Sequence, residues 1–252
     1  MGKIIAVVNQ KGGVGKTTTA VNLTAALHEL GLKVLLVDFD PQANASSGLG
    51  VDKRQIRHSV YDVIINDLDP VKAIVSTKHG DVLPSHADLA GAGVELLSMD
   101  NSNHRLAEAL KKVCNRYDII FIDCPPSLDL LTLNGLSAAD GILVPVQCEY
   151  YALEGLSDLM STLRAVKRRI NPRLEIFGVA LTMFDGRTNF SNQVAEEVRR
   201  HFPGKVFGTV VPRNVRLAEA PSHGLPVTAY DRSSRGAKAY MAMAEEIKAK
   251  LI

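Results

Sequence analysis

A three-layer α/β/α fold around a mostly parallel, twisted sheet of about seven or eight strands is what this 252-residue sequence predicts. Three observations carry that expectation. Short apolar, β-branched runs alternate along the chain with segments whose apolar residues recur at helical spacing. Two of those runs end in aspartate, at Asp38 and Asp123, and a parallel sheet gathers its ligands beyond the carboxyl ends of its strands. Between the first run and the first helical segment lies a glycine-rich turn, Asn9-Gln10-Lys11-Gly12-Gly13-Val14-Gly15-Lys16-Thr17-Thr18. With 46% apolar residues and no low-complexity linker or internal repeat, residues 1–252 are expected to form a single domain.

The elements follow in order. Ile4 to Val8 reads as a buried strand, and Thr19 to Leu30 as a helix with Ala20, Leu23, Ala26, Leu27 and Leu30 on one face. Gly31 ends that pattern, and Lys33 to Asp38 is a second strand running into Asp38-Phe39-Asp40-Pro41-Gln42. Ser59 to Ile65, Pro70 to Ser76 and Asp88 to Glu95 read as short helices, and Val82 to Pro84 as a short strand. Asn103 to Arg116 is an amphipathic helix. Tyr117 to Asp123 and Gly141 to Val146 are buried strands, followed by a long helix from Leu153 to Ile170. Glu175 to Thr182 reads as a strand, Asn192 to Phe202 as a helix, Lys205 to Val211 as a further strand, and Ser234 to Ile252 as a terminal helix.

The chemistry concentrates in three of these places. Closely spaced glycines at a strand-to-helix turn let backbone N–H groups curl around phosphate oxygens, and the following helix offers its unpaired N–H groups to the same anion. Gly12, Gly13, Val14, Gly15, Lys16, Thr17 and Thr18 would form that cradle, with Lys16 along the β- and γ-phosphates and the Thr17 hydroxyl on Mg²⁺. Asp123 then fits a strand-end aspartate that holds Mg²⁺, usually through water. Asp40 stands at a strand end beside the same loop, although taken alone it could merely start the turn before Pro41.

Composition excludes some classes. No charged-then-apolar leader opens the chain and no apolar run approaches the roughly 20 residues of a membrane span, so a soluble, cytoplasmic protein is expected. Cys114, Cys124 and Cys148 lack the spacing of a disulfide framework or a zinc site. The net charge of +2 conceals an asymmetry: residues 1–150 carry 13 Lys and Arg against 17 Asp and Glu, whereas residues 151–252 carry 16 against 10. Such a bias can mark a polyanion-binding face or arise from exposed helices without a partner. Within the basic part, Arg187, Arg199, Arg200, Lys205 and Arg216 are the candidates for contacting such a polyanion, because they fall in loops or near helix ends.

The loop departs from G-x-x-x-x-G-K-[ST] at Gln10 and carries an extra lysine, Lys11. Lys11-Gly12-Gly13-Val14-Gly15-Lys16-Thr17 resembles the deviant Walker A loop of the ParA/MinD branch of P-loop ATPases. Asp38-Phe39-Asp40-Pro41-Gln42 and Asp123-Cys124-Pro125-Pro126-Ser127 are similar to its two switches. The stretches from Pro145 to Gly155 and from Val211 to Gly224 look like signatures of chromosomal ParA proteins, often called Soj.

This resemblance implies an ATPase with ATP and Mg²⁺ as ligands, in which Lys11 reaches the partner's nucleotide, Lys16 and Asp40 serve hydrolysis, and Asp40 orients the attacking water. It implies adenine contacts from Pro212 and Asn214. It also implies an ATP-bound homodimer on nonspecific DNA, hence a nucleoid-associated protein, released by a ParB/Spo0J-type centromere-binding partner, with no membrane attachment. A MinD-like membrane-cycling ATPase shares the loop and is the alternative. A metabolic ATPase of the same fold would show paired cysteines or a substrate motif, which this sequence lacks.

Overall fold

The structure is a computed structural model and describes residues 2–149 and 152–251, with residues 152–155 described by their backbone alone. Tyr150 and Tyr151, in one signature stretch, and Ile252, at the end of the terminal helix, lie outside the described residues.

Seven strands form one sheet among the described residues: β1 (Lys3–Val7), β2 (Val34–Asp38), β3 (Val75–Thr77), β4 (Gly80–Leu83), β5 (Ile119–Asp123), β6 (Gly141–Gln147) and β7 (Glu175–Thr182). Their order is β3-β4-β2-β5-β1-β6-β7. All neighbours run parallel except β3, which pairs antiparallel with β4. In the register of the central strands, Asp123 lies opposite both Val7 and Asp38, so the loop after β1 and the two strand-end aspartates emerge at one edge.

The helices are α1 (Lys16–Glu29), α2 (Asn44–Gly48), α3 (Val60–Ile65), α4 (Pro70–Ala73), α5 (Ala92–Leu97), α6 (Arg105–Lys111), α7 (Leu130–Ala138), α8 (Ala152–Arg169), α9 (Asn189–His201), α10 (Val215–Glu219), α11 (Val227–Tyr230) and α12 (Arg235–Leu251). Strand alternation distributes them into two outer layers. Along β1, Ile4 and Ala6 face a core shared with α3, α6, α7, α8 and α9. Ile5 and Val7 face a second core shared with α1 and α12. In that second layer Leu23 and Leu27 of α1 and Tyr240 and Met243 of α12 are fully buried. Each such aliphatic side chain contributes about 1.5–3 kcal/mol by leaving water, and Leu27→Ala would cost about 2–5 kcal/mol. Helix α1 ends where Gly31 takes a left-handed φ of 87°. Its last carbonyls are met there, with Leu32 N–H donating to Leu27 O at 3.1 Å.

Three segments depart most from what the sequence predicts, and the helix expected from Asp88 to Glu95 divides into a 3₁₀ turn over Ala87–Ala90 and α5. Lys205 to Val211 is not a strand: Val206 alone bridges to Val179, and Pro212 to Phe184. The backbone N–H groups of Gly208 and Thr209 turn away to the Glu246 carboxylate on α12, at 2.8 and 2.7 Å, which draws the segment off the sheet edge. Pro70 to Ser76 is helical only to Ala73; β-branched residues then build β3, which folds back on β4. The expected helix from Asn103 to Arg116 narrows to α6 and a separate 3₁₀ turn over Cys114–Arg116.

Candidate nucleotide-binding site

The glycine-rich loop is fastened from several sides before any ligand is considered. The Asn9 side chain donates to Pro145 O on β6 at 2.8 Å and accepts Lys11 N–H at 3.0 Å. Thr182, at the end of β7, donates its hydroxyl to Val14 O at 2.8 Å. Gln10, the departure from the glycine pattern, donates to the Thr162 hydroxyl on α8 at 2.9 Å. Gly13 and Gly15 have φ of 76° and 91°, values that cost an L-residue about 1–2 kcal/mol. A Cβ on Gly12 or Gly13 would meet nothing within 4 Å. The loop therefore wraps open space with its backbone and leads into the N-terminus of α1, an arrangement suited to phosphate.

Lys16 is buried and its ammonium donates to Lys11 O at 3.2 Å. Burial pulls its pKa below the ordinary lysine value, while the charges of Asp123 and Asp40 push it back up. Thr17 and Thr18 follow in the first turn of α1, both partly buried. Asp123 is fully buried, and neither carboxylate oxygen accepts a hydrogen bond in ordinary geometry. Burial raises its pKa well above the usual carboxylate range, and the charge of Asp38 adds to that. The nearby Thr17 hydroxyl acts the other way, in favour of the charged form. An orphaned buried carboxylate beside a hydroxyl fits a divalent cation better than an empty core. Among the described residues no cluster of three or more His, Cys, Asp or Glu side chains could enclose a metal; magnesium needs none, since it keeps waters and substrate phosphates as ligands.

Asp38 is a member of this site that sequence reasoning left without a role. It accepts both the N–H and the hydroxyl of Ser46, at 2.6 and 2.7 Å, and the Ser46 hydroxyl in turn accepts Ser85 N–H at 3.2 Å. Burial raises the Asp38 pKa to about 6 against the pull of those donors. The network ties the Asp40 loop to α2, whose preceding residue Ala43 has a φ of 52°. Asp40 is partly buried, and its carboxylate accepts Gln42 N–H at 3.0 Å. The signal available in the sequence was a second aspartate two residues before Asp40, but Ser46 and Ser85 could not be paired with it from spacing.

A mostly apolar cavity of about 390 Å³ opens beside the loop, lined among others by Gly15, Thr18, Pro212, Asn214 and Tyr240. Pro212 and Asn214 thus line the same cavity as Gly15 and Thr18, and the Asn214 side chain caps α10 by accepting Arg216 N–H at 3.0 Å. Lys11, in the loop itself, is partly exposed, with its ammonium 3.6 Å from Glu149 Oε2.

The five basic candidates do not form one cluster with the nucleotide site. Arg187 pairs with Asp185 at 2.8 Å, Arg200 with Glu197, and Arg216 with Glu219 at 2.8 Å and Asp231 at 3.3 Å. Arg199 and Lys205 are exposed. Lys205 lines a groove of about 310 Å³ with Arg164 and Lys167 of α8. Neither Arg164 nor Lys167 is among the basic residues that the sequence singles out.

Comparison with known proteins agrees with this geometry. A family model described as an AAA domain matches residues 2–176. The sporulation initiation inhibitor protein Soj of Bacillus subtilis is 55% identical over 251 residues, covering 99% of both chains. The chromosome-partitioning ATPase Soj of Thermus thermophilus is 50% identical over 248 residues, covering 98% of this chain and 96% of the relative. Among solved structures, a Mycobacterium smegmatis protein described as cobyrinic acid a,c-diamide synthase, with bound ADP and magnesium, superposes with a TM-score of 0.84 at 39% identity, over 97% of this chain and 93% of that one. With its phosphate loop, strand-end aspartates and full-length likeness to these relatives, the chain belongs to the ParA/Soj family of chromosome-partitioning ATPases.

Proposed function

We propose that this ATPase is a segregation switch for a chromosome or plasmid. ATP joins two copies face to face, the pair binds DNA without sequence specificity, and a ParB/Spo0J-type partner stimulates hydrolysis and release. The observation that carries this proposal is the contrast between two lysines of one loop. Lys16 is buried and bonded into its own cradle. Lys11 keeps 36% of its side chain exposed, where it is available to a second molecule's nucleotide.

Within one copy, the backbone from Gly12 to Thr18 holds the phosphates, and Lys16 lies against the charge that develops on the transferred group. Thr17 and Asp123 are the residues that would hold magnesium, Asp123 through water. The ion, when bound, neutralises phosphate charge. Asp40 orients the attacking water, and its loop is held in place by the bonds between Asp38 and Ser46. Pro212 and Asn214 border the adenine. For DNA, the groove of Lys205, Arg164 and Lys167, which Glu175 also lines, offers three cations with no carboxylate within ion-pair distance among the described residues. It is a better phosphate-backbone surface than Arg187, Arg200 or Arg216, whose charges are already paired. A DNA-bound pair would be nucleoid-associated.

The test is nonspecific DNA binding with ADP and with ATP, for wild type, Lys11→Ala and Asp40→Ala. ATP-dependent binding is expected, weakened in Lys11→Ala and retained or prolonged in Asp40→Ala. Binding that is absent at low salt, or indifferent to nucleotide, would sink the proposal. ATP-dependent flotation with anionic liposomes in place of DNA binding would favour the MinD-like alternative.

A further inference from the structure

Glu149 occupies the position between the two cations that flank the nucleotide cleft. It follows β6 in a tight turn, its N–H donating to Gln147 O at 2.8 Å, and the Gln147 side-chain amide donates to its Oε1. Its Oε2 lies 3.6 Å from Lys11 Nζ. Its Oε1 lies 3.6 Å from Nη2 of Arg213, the residue between Pro212 and Asn214 on the rim of the apolar cavity. One carboxylate thus bridges the phosphate loop and the base-side loop, segments far apart in the chain.

The contacts are of a kind that holds without locking. At 3.6 Å both are ionic rather than hydrogen-bonded, and the side chains are partly exposed, 36% for Lys11, 47% for Glu149 and 68% for Arg213. Meanwhile the Lys11 backbone is fixed at both ends, its N–H on Asn9 and its carbonyl on Lys16. Only the Lys11 side chain can swing, and the charge of Glu149 decides where it rests. A triphosphate carries more negative charge than one carboxylate and would displace it.

We propose that Glu149 is a positioning residue that parks the Lys11 ammonium in the nucleotide-free chain and releases it when phosphates arrive, thereby raising the ATP concentration needed for pairing. The last part rests on the face-to-face pairing proposed above; the parking of Lys11 does not. Glu149→Gln keeps the shape and the amide contact with Gln147 while removing the charge.

Two measurements test this. The first is acetic anhydride labelling of the nucleotide-free protein, read per lysine by mass spectrometry, with exposed Lys205 as internal reference. Labelling of Lys11 is expected to rise about two- to five-fold in Glu149→Gln, the scale of an exposed ion pair, and the difference should shrink at high salt. The second is light scattering against ATP concentration. Glu149→Gln is expected to pair at about two- to five-fold less ATP than wild type, whereas in a Lys11→Ala background the Glu149→Gln change should have no effect. Equal Lys11 labelling in wild type and Glu149→Gln overturns the proposal, as does a higher ATP requirement in Glu149→Gln. A rise in labelling with no ATP-dependent pairing in any variant supports the parking contact and overturns the pairing.

Discussion

The nucleotide edge and the basic C-terminal face treat charge in opposite ways. At the edge, Lys16, Asp38 and Asp123 are buried, and Asp123 has no hydrogen-bond partner for either oxygen. On the basic face, Arg187 and Arg216 are exposed, and each is matched by a carboxylate two or three residues away. A buried charge without a full set of partners is costly to keep, so its presence points to a ligand. An exposed charge with a local partner costs little and points to nothing in particular. Residues at the edge can therefore be assigned by their environment, whereas those on the face need a functional measurement.

The sharpest way to test this contrast is to remove one cation from each side. Lys16→Ala should lower ATP hydrolysis by about 100- to 1000-fold, the cost of removing a preorganised charge at a phosphoryl site, as read by phosphate release. An equal drop from Lys205→Ala would break the distinction.

The buried carboxylates predict a pH dependence that the exposed ones do not. Burial raises Asp38 from 3.8 to about 6, so the native state holds a proton that the unfolded chain has already released. The Asp38 contribution to stability without nucleotide should accordingly fall by roughly 3 kcal/mol as pH rises from about 4 to about 6, and buried Asp123, whose pKa is raised as well, extends the fall to higher pH. Urea midpoints across this window would show the slope, and Asp38→Asn should make it shallower. The opposite slope would show that the Ser46 donors outweigh burial.

Smaller effects refine the picture. Gly15→Ala should destabilise by about 1–2 kcal/mol through its left-handed backbone and weaken nucleotide binding with it, measurable as a smaller thermal shift on adding ADP. Replacing Arg164, Lys167 and Lys205 together by alanine should reduce the salt slope of DNA binding by about 0.9 for each DNA phosphate that is no longer neutralised. Arg187→Ala, whose charge is already met by Asp185, should leave both DNA affinity and the melting temperature close to wild type. A large change there would mean that its ion pair opens on DNA.

How far the molecule could be read in advance varied by element. The phosphate loop, β1, β2, β5, β6 and β7 follow from short runs, because a buried parallel strand needs continuous apolar residues and the turn needs its glycines. Helix α7 was missed. Its sequence from Leu130 to Ala138 is buried on several sides and lacks a polar face, so no helical period stands out. The Asp129 cap, which accepts Leu131 and Thr132 N–H at 3.0 and 3.1 Å, was the available signal. Lys205 to Val211 has apolar residues that suit a strand, but Glu246 on a distant helix takes the Thr209 N–H that would have continued the ladder between Phe207 and Val211.

By itself, then, the sequence determined the features whose causes are local: where the chain can turn left-handed, where strands are apolar throughout, and that Lys11, Lys16, Asp40 and Asp123 lie at or beyond the carboxyl ends of strands. Only the tertiary structure decided which charges are buried and which are met by neighbours. Asp38 gains Ser46, Thr19 meets Tyr240 at 3.1 Å across 221 positions, and Glu149 comes to lie between Lys11 and Arg213. Electrostatic environment depends on what packs nearby in space, and the order of residues along a chain carries that only through the fold.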